Sequence, residues 1–577
     1  MEKMEKYISD KIKEDYKEWK KRQMIFLSAH TGAGKTYFIL NELMEFAALN
    51  GKRILYLSNR SILKEQILEK INVGAKSRLR SNKDISSENL ANVIVVKLYQ
   101  EIEDGCKRNS GYGEMGQEKY DFIIADECHY FLEDSTFNTY TQLSYEWIMS
   151  RKEAAILIFI SATIDRMKDY ILQKNKLMEI TEEENPKRGT HCLRGEVDER
   201  YTVKSYSMEA DYSYVEVNLL KKVDEIAEVV ERDKAKWFIF VDSIEKGNKI
   251  EKSLQEKGID SVFINAVSKK DRELSGTVQM ISTRERYEQR VLIATSVMDN
   301  GISIKDFGLR KFIIMAVTKE QFIQMLGRKR LSSDTEKLEV YLLLREKEYF
   351  RKLLVECKKR QRFISEAEKS NFQMDIGLVL EKILESNEFY QCARNICFVK
   401  QGSLMFSDLA IAQYGYLYDY YEGMLESFEK EGGNAFLRKQ LEWLGRENIE
   451  EEIKRLTKTV EDRICKIIDE YKGRSLSKDD NDEMREKIRA YLCQALECLG
   501  HNESRAQDIK NLIREFKKKS NGEPRPISKE NFNKTMEILN LGYHMTKPSQ
   551  SEFLIADKDL GQGAEQERET DKKPSEE

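Results

Sequence analysis

The sequence predicts an α/β protein in which two domains with parallel sheets follow one another and a mainly helical region completes the chain. Short apolar, β-branched segments alternate with helical spacing through about residue 345. Buried strands that alternate with helices indicate a parallel sheet covered on both faces. The pattern occurs twice, on either side of a stretch near 180–235 that fits neither half. A chain of 577 residues is also too long for a single core.

The chain begins with a charged, amphipathic segment, residues 1–22, which we expect to be a helix. The predicted strands of the first domain are Met24–Ala29, Arg53–Leu57, Asn92–Val96, Asp121–Ala125 and Ala154–Ile160. The predicted strands of the second domain are Trp237–Val241, Ser261–Ile264, Arg290–Ala294, Lys311–Met315 and Glu339–Leu344. We therefore expect domains over 23–180 and 236–345, joined by a linker over 181–235.

The remainder of the chain has the composition of long charged helices. Only five prolines occur, and none lies between Pro186 and Pro524, so helices can run uninterrupted through that stretch. We expect a helical accessory region over 346–555. The tail, 556–577, is charged and has no aromatic residue, so we expect it to be disordered.

Composition restricts the environment and the kind of partner. The formal charge is −4, from 97 Lys and Arg against 101 Asp and Glu, so any basic surface must be local. Nine irregularly spaced cysteines and a charged N-terminus predict reduced thiols and a cytoplasmic location. No apolar run reaches membrane-spanning length, so we expect no membrane association.

A phosphate-binding loop follows the first predicted strand. Residues Ser28–Thr36 read SAHTGAGKT and open a helix, with Ala29 where a glycine often stands. The loop residues whose backbone N–H groups can surround a β-phosphate are Thr31, Gly32, Ala33 and Gly34. Lys35 then places a charge on the β- and γ-phosphate oxygens, and the Thr36 hydroxyl coordinates Mg²⁺. The pattern predicts a site for ATP and Mg²⁺.

Two carboxylates complete this predicted site. Phe122–Ala125 is apolar and leads directly into Asp126 and Glu127. The carboxyl end of a strand is where ligands bind in an open α/β sheet. Asp126 is suited to hold Mg²⁺, and Glu127 is suited to orient and deprotonate the attacking water.

The sequence DECH at Asp126–His129 resembles the motif II box of superfamily-2 helicases, a relative of the DEAD and DEAH boxes. Ser161–Thr163 reads SAT at the end of the next apolar strand and resembles motif III. The resemblance covers residues 24–345, with six or seven motifs in the correct order. It implies two RecA-like domains, and it implies that Ser161 and Thr163 couple the ATP site to nucleic acid.

Further motifs extend the resemblance. Trp237–Ser243 resembles motif IV, and Val291–Ile302 resembles motif V. Motif V implies that Thr295 contacts the nucleic-acid backbone and that the segment with Asp299 and Gly301 communicates with ATP. Asn59 and Arg60 stand at the motif Ia position, where both can meet phosphates, although Arg60 is equally compatible with an ordinary surface charge.

Gln321–Arg330 resembles motif VI, the helix that presents arginine fingers across the domain cleft. Gln324 and Arg328 are four residues apart, so both can face the cleft. Arg330 follows Arg328 by two residues rather than three, which would turn it by roughly 200° on an unbroken helix. Either the helix loosens here or a single arginine is the main finger; we expect Arg328 in that role, assisted by Arg330.

These observations predict an ATP-dependent helicase or translocase that acts on nucleic acid, with DNA favoured over RNA. One alternative is a duplex translocase of a restriction, defence or mobile-element system that does not separate strands. Another is a nucleic-acid-binding scaffold with a degenerate motor, which the retention of Lys35, Asp126, Glu127 and Arg328 disfavours. A protein partner is expected to bind through the C-terminal region.

Overall fold

The computed structural model of the chain describes the following residues. They are 7–30, 32–59, 64, 93–107, 118–177, 200–265, 272–295, 304–331, 333, 335–369, 379, 381, 386–457, 460–473, 475–498, 528–539, 541–547 and 552–557.

The first sheet has six parallel strands in the order β3-β2-β4-β5-β1-β6. They are β1 Gln23–Ser28, β2 Ile54–Ser58, β3 Ile94–Leu98, β4 Phe122–Asp126, β5 Ile156–Ser161 and β6 Thr202–Ser207. The central strands β2, β4 and β5 are buried along their whole length, as a parallel sheet covered on both faces requires. This sheet and its helices are called lobe 1.

The second sheet also has six parallel strands, in the order β7-β12-β11-β8-β10-β9. They are β7 Val215–Leu220, β8 Lys236–Phe240, β9 Ser261–Ile264, β10 Val291–Ala294, β11 Leu309–Ile314 and β12 Leu338–Leu343. This sheet and its helices are called lobe 2. The predicted fold class is confirmed: two tandem RecA-like domains with parallel sheets precede a mainly helical C-terminal region.

The stretch 181–235, expected to be a linker, contributes a strand to each sheet. β6 pairs with β1 at the edge of the first sheet, and β7 pairs with β12 at the edge of the second. Neither strand was predicted. β6 has the sequence TVKSYS, in which only Val203 is fully buried, because one side of an edge strand stays in contact with solvent.

The helices of lobe 1 surround the sheet on both faces. They are Ile8–Ile12, Lys35–Tyr37 continued by the π-helical turn Phe38–Leu43 and by Met44–Leu49, Tyr99–Lys107, Tyr130–Glu133, Thr141–Met149 and Asp165–Asn175. The expected helix over 1–22 is shorter than predicted, since its described part holds Ile8–Ile12 and a 3₁₀ turn at Asp15–Lys17. The amphipathic pattern reflects packing, because Ile8, Ile12, Tyr16 and Trp19 join the lobe 1 core.

The helices of lobe 2 are Ile226–Glu231, Ile244–Glu256, Arg272–Arg284 and Lys319–Leu326, the last of which we call the motif VI helix. After lobe 2, the chain adds helices Lys347–Lys369, Asn387–Ile396, Asp408–Glu431 and Ala435–Trp443, with a hairpin of β13 Cys397–Lys400 and β14 Ser403–Phe406. Both lobes and these helices form one compact unit, Met1–Glu447.

A second unit, Asn448–Glu577, has its own apolar core. Its described elements are helices Ile449–Thr457, Val460–Asp469, Lys478–Cys498 and Lys529–Ile538, and a hairpin of β15 Tyr543–Thr546 and β16 Leu554–Asp557. Core residues from three helices and the hairpin meet, among them Ile468, Ile488, Phe532 and Met545. Across all described residues, no helix combines the length and apolarity needed to cross a bilayer.

Candidate active site

The phosphate loop lies between β1 and the helix that begins at Lys35. Gly32 and Gly34 have φ angles of 98° and 78°, a left-handed conformation that favours glycine. The Lys35 ammonium donates a hydrogen bond to the Ala29 carbonyl at 2.9 Å, which holds it over the loop. Thr36 follows on the first helical turn and is half-buried, whereas Thr31 lies outside the described residues.

The N-terminal segment packs directly on this loop. The Ile8 N–H donates to the Ala33 carbonyl at 2.9 Å. The Tyr7 ring lies beside Gly34, where an added Cβ would come within 3.2 Å of the ring. A side chain at position 34 would therefore be disfavoured both by backbone conformation and by this neighbour.

Asp126 is the last residue of β4, and its side chain is held by two donors. One oxygen accepts a 3.0 Å hydrogen bond from the Glu127 N–H, and the other accepts a short one from the Tyr56 hydroxyl. The Tyr99 hydroxyl donates to the Asp126 backbone carbonyl at 2.8 Å. Glu127 has a positive φ of 51°, an uncommon conformation for a residue with a side chain and one often found at functional sites.

The two carboxyls differ in their electrostatic surroundings. Burial, followed by the neighbouring Glu127 charge, raises the pKa of Asp126 to about 6. Burial also acts to raise the pKa of Glu127, but the positive charges around it outweigh this and lower that pKa. The groups that lower it are Lys35, His129, Arg328 and Arg330. Glu127 is therefore ionised at neutral pH and faces cations from both lobes.

The motif II and motif III residues are in direct contact. His129 Nδ1 lies 2.9 Å from the Ser161 hydroxyl and 3.4 Å from a carboxylate oxygen of Glu127. The Ser161 hydroxyl also accepts a hydrogen bond from the Thr163 N–H at 3.0 Å. A movement of the Glu127 carboxylate can therefore be transmitted to Ser161, at the end of β5, through the His129 imidazole ring.

The motif VI helix ends at Leu326, before the arginines. Beyond it, Lys329 forms a parallel bridge with Ile304: the Ile304 N–H donates to the Arg328 carbonyl at 2.7 Å, and the Arg330 N–H donates to the Ile304 carbonyl at 3.0 Å. Of the two alternatives left by the sequence, the helix is the one that gives way: Arg328 lies in the turn after it, and Arg330 follows the bridge at Lys329. Both arginines act on the same carboxyl, Glu127.

Lys329, between the two arginines, is buried. Its ammonium donates to the Asp306 carbonyl at 2.9 Å and pairs with Glu336 at 2.9 Å. This structural role fixes the segment that carries the two arginines.

Both arginines are directed from lobe 2 toward the lobe 1 site. A guanidinium nitrogen of Arg330 lies 3.4 Å from the position that a Cβ on Gly32 would occupy. The Arg328 Nε donates to the carbonyl of the buried Gln324 at 3.1 Å, which anchors Arg328 to the last turn of the helix. Arg330, expected only to assist, is the arginine in contact with the phosphate loop.

The remaining predicted positions are dispersed. Thr295 follows β10, and its N–H donates to the Ile264 carbonyl at 3.3 Å. Asn59 follows β2 and is buried, and neither polar atom of its side-chain amide has a hydrogen-bond partner among the described residues. Arg60, Asp299 and Gly301 lie outside the described residues.

Sequence reasoning missed two tyrosines of the site. Tyr56 and Tyr99 are fully buried and both bond to Asp126, one to the carboxylate and one to the backbone. They looked like ordinary apolar positions of β2 and of the helix after β3. The available signal was chemical, because a phenol buried in a strand needs a hydrogen-bond partner.

Residues 1–166 match the family described as type III restriction enzyme, res subunit. The matched residues include the phosphate loop, Asp126–His129 and Ser161–Thr163, which carry the resemblance to superfamily-2 helicases. Among solved structures, S. cerevisiae Dbp5 bound to RNA and ADP BeF3 aligns at 16% identity over 57% of this chain and 81% of that chain, with a TM-score of 0.38. A single-residue variant of Dbp5 in the same complex aligns at 14% identity over the same shares, with a TM-score of 0.37. No curated protein matches the chain by sequence.

The residues of this lobe 1 site fit a nucleoside triphosphate with Mg²⁺. The left-handed backbone at Gly32 and Gly34 lets the loop turn so that its N–H groups can face phosphate oxygens. Asp126 and Thr36 offer the oxygen ligands that Mg²⁺ prefers. The raised pKa of Asp126 also reflects uncompensated buried negative charge, which a divalent cation would neutralise.

Proposed function

We propose that this chain is a nucleic-acid-dependent ATPase that uses ATP hydrolysis to move along or unwind nucleic acid. The observation that supports this most strongly is the position of the two lobe 2 arginines. Arg330 lies beside Gly32, and both Arg328 and Arg330 lower the pKa of Glu127. A scaffold that only binds nucleic acid has no need for cations of one lobe at the catalytic carboxylate of the other.

In this proposal each group of the site has a role. The phosphate loop binds the β- and γ-phosphates through backbone N–H groups and Lys35. Thr36 and Asp126 would hold Mg²⁺, which neutralises phosphate charge when bound. The ionised Glu127 orients the attacking water and accepts its proton. Arg328 and Arg330 stabilise the charge of the transferring phosphoryl group when the lobes are closed.

Hydrolysis would be coupled to nucleic acid through the contact between motifs II and III. His129 joins Glu127 to Ser161, and Ser161 fixes the backbone at Thr163. Asn59 and Thr295 stand at strand ends of the two lobes and are our candidates for backbone phosphate contacts, together with Arg60. Binding through phosphates makes affinity dependent on salt and weakly dependent on sequence.

Steady-state ATPase activity tests the proposal. The wild type and Glu127→Gln are measured without polymer and with single-stranded DNA, duplex DNA or RNA. We expect one polymer to stimulate the wild type and Glu127→Gln to lose activity by about 10²- to 10⁴-fold. Glu18→Gln removes an exposed carboxylate of the same lobe and should behave as wild type. An absence of hydrolysis under every condition would refute the motor for this chain.

A duplex translocase that does not separate strands is the second candidate, and the family match favours it. The matching family is the res subunit of type III restriction enzymes, which also favours DNA as the track. Unwinding of a forked duplex would support helicase activity. Displacement of a triplex strand without unwinding would instead support translocation along duplex DNA.

The proposal also divides the chain into a motor and a region that determines specificity. The motor occupies 23–345, and the helical region 346–555 provides specificity or binds a protein partner. Deletion of 448–577, which form a separate unit, tests this division. We expect the shortened chain to keep basal ATPase activity and to lose preference among polymers.

A further inference from the structure

A buried polar cluster joins four helices of the first unit. It contains Arg166 from lobe 1, Glu320 from the motif VI helix of lobe 2, and Gln413 from the helix Asp408–Glu431. Glu133, at the end of the helix after motif II, is the fourth member. The side chains of Arg166, Glu133 and Glu320 are 17%, 13% and 8% exposed, so solvent screens their charges only weakly.

Arg166 is the centre of this cluster. One of its terminal nitrogens lies 2.8 Å from a Glu133 oxygen and 3.7 Å from a Glu320 oxygen. Its other terminal nitrogen donates to the Gln413 side-chain oxygen, and the Gln413 amide donates to Glu133 at 3.3 Å. The guanidinium also stacks over the Tyr416 ring, 3.3 Å from the ring centre. A single side chain thus contacts both lobes and the helix that follows them.

The same C-terminal helices hold the motif VI helix. The Tyr420 hydroxyl donates to the Val317 carbonyl at 2.7 Å, just before that helix begins. Phe322 on the helix packs against Trp443, with ring centres 5.5 Å apart. The motif VI helix is therefore fixed by helices outside lobe 2 at its start and along its first turn.

The cluster connects to the arginine fingers along one helix face. Glu320 and Gln324 are four residues apart, and the Gln324 carbonyl accepts the hydrogen bond from Arg328. A displacement of Glu320 would move the end of the helix from which Arg328 and Arg330 extend.

The charge balance of the cluster is incomplete. One arginine serves two buried carboxylates, and the second oxygen of Glu320 has no hydrogen-bond partner among the described residues. Burial, then the Glu320 charge, raises the pKa of Glu133 to about 7. A buried ionic cluster of this kind contributes little net stability, but removal of one partner is costly. Such a cluster is better suited to an interlobe contact that forms and breaks than to a permanent one.

We infer that Arg166, together with the helix Asp408–Glu431, forms an interlobe clasp that positions the motif VI arginines for ATP hydrolysis. In this role Arg166 is a positioning residue that acts through Glu320 and the motif VI helix. The inference rests on the proposed ATPase function and adds a device for lobe closure to it.

The test compares Arg166→Gln with Lys174→Gln. Lys174 pairs with Asp408 at 2.6 Å, so it joins the same two helices, but it is about half exposed and forms no ion pair with a described residue of lobe 2. We expect Arg166→Gln to lower kcat by roughly 10-fold, with nucleotide affinity changed by no more than about 2-fold. Lys174→Gln should keep wild-type values. A wild-type kcat in Arg166→Gln would overturn the clasp.

A second readout separates the clasp from the proposed function. Hydrogen–deuterium exchange of peptides covering Lys319–Leu326 is measured with ADP and beryllium fluoride, so no hydrolysis is required. We expect faster exchange in Arg166→Gln than in the wild type and in Lys174→Gln. Unchanged exchange would overturn the clasp even if the chain hydrolyses ATP. If the wild type proves inactive, the proposed function fails, and this exchange result alone decides the inference.

The pH dependence provides an independent check. Glu133 is surrounded by Arg166, Glu320, Tyr416 and Tyr421 as charged or titratable neighbours. Because the closed cluster raises the pKa of Glu133, protonation favours closure, and closure weakens as pH rises through about 7. The exchange of Lys319–Leu326 should therefore increase between pH 6 and pH 8 after correction for intrinsic rates. Glu133→Gln should remove this increase, and its persistence would contradict the clasp.

Discussion

Lobe 1 and lobe 2 share a six-stranded parallel sheet, yet they hold their functional groups differently. In lobe 1, Asp126 and Ser161 occupy strand ends, and the phosphate loop presents backbone groups fixed by its glycines. In lobe 2, Arg328 and Arg330 lie on the turn and the bridged segment that follow the end of a helix. Under the proposed function, lobe 1 should therefore bind nucleotide by itself, whereas lobe 2 should contribute charge only when it is close. Mutation of the lobe 2 arginines should therefore reduce hydrolysis and leave nucleotide binding unchanged.

The largest expected effect concerns Arg330. Arg330→Ala removes the cation beside Gly32, and we expect kcat to fall by about 10³-fold, as for other arginine fingers. Nucleotide affinity should change by no more than about 2-fold, because the phosphate loop is intact. Arg328→Ala should have a smaller effect on kcat. Steady-state kinetics and binding of a fluorescent ATP analogue measure the two quantities.

Arg310→Ala is the matched control, since it removes an exposed arginine from β11 of the same lobe. It should leave both kcat and affinity unchanged. A loss of nucleotide affinity in Arg330→Ala comparable to its loss of kcat would contradict the division of labour, because lobe 2 would then take part in binding.

The next effect concerns stability in lobe 2. Gly247 lies in the helix Ile244–Glu256, and a Cβ there would come within 2.2 Å of the Phe263 ring on β9. Gly247→Ala should lower the free energy of unfolding by about 1–3 kcal/mol, as overpacking does. Gly276→Ala, on a helix of the same lobe where a Cβ meets nothing within 4 Å, should raise it by about 0.5–1 kcal/mol.

Chemical denaturation measures both glycine variants, and nucleotide affinity is recorded beside it below the unfolding transition. If lobe 1 binds by itself, affinity stays at the wild-type value in Gly247→Ala. A decrease in affinity that follows the loss of stability would show that nucleotide binding depends on an intact lobe 2.

The sequence was most informative where function coincides with a buried strand end. The strand before Asp126 and the strand before Ser161 are apolar throughout, so their ends were located to within a residue. The edge strands β6 and β7 were missed because solvent contact permits polar residues in them. For the end of the motif VI helix the sequence left two alternatives open, because the bridge to Ile304 that follows Leu326 is a long-range contact.

The cluster around Arg166 was beyond prediction for a related reason. Arg166, Glu320 and Gln413 are separated by about 90 to 250 residues in the chain, and each alone has the pattern of a solvated helix residue. Only the packing of the helix Asp408–Glu431 on both lobes brings them together. Periodicity predicts which face of an element is buried, but not which polar groups meet there.

The smallest expected effect concerns the pKa of Asp126 in lobe 1. The Tyr56 hydroxyl stabilises the ionised form of Asp126, whose pKa is already raised to about 6. Removal of this donor in Tyr56→Phe should raise that pKa further, by about one unit. Because Mg²⁺-nucleotide binding requires the ionised carboxylate, affinity should decline as pH falls through about 6 in the wild type and through about 7 in the variant.

Tyr99→Phe is the informative control for this measurement. Its hydroxyl also bonds to Asp126, but to the backbone carbonyl rather than to the carboxylate. Its removal should leave the midpoint of the pH profile near the wild-type value, although both substitutions delete a buried phenol oxygen. Equal shifts in the two variants would mean that general loss of packing, not the bond to the carboxylate, sets the titration of Asp126. A shift in Tyr56→Phe alone would show that lobe 1 tunes the Asp126 carboxylate without help from lobe 2.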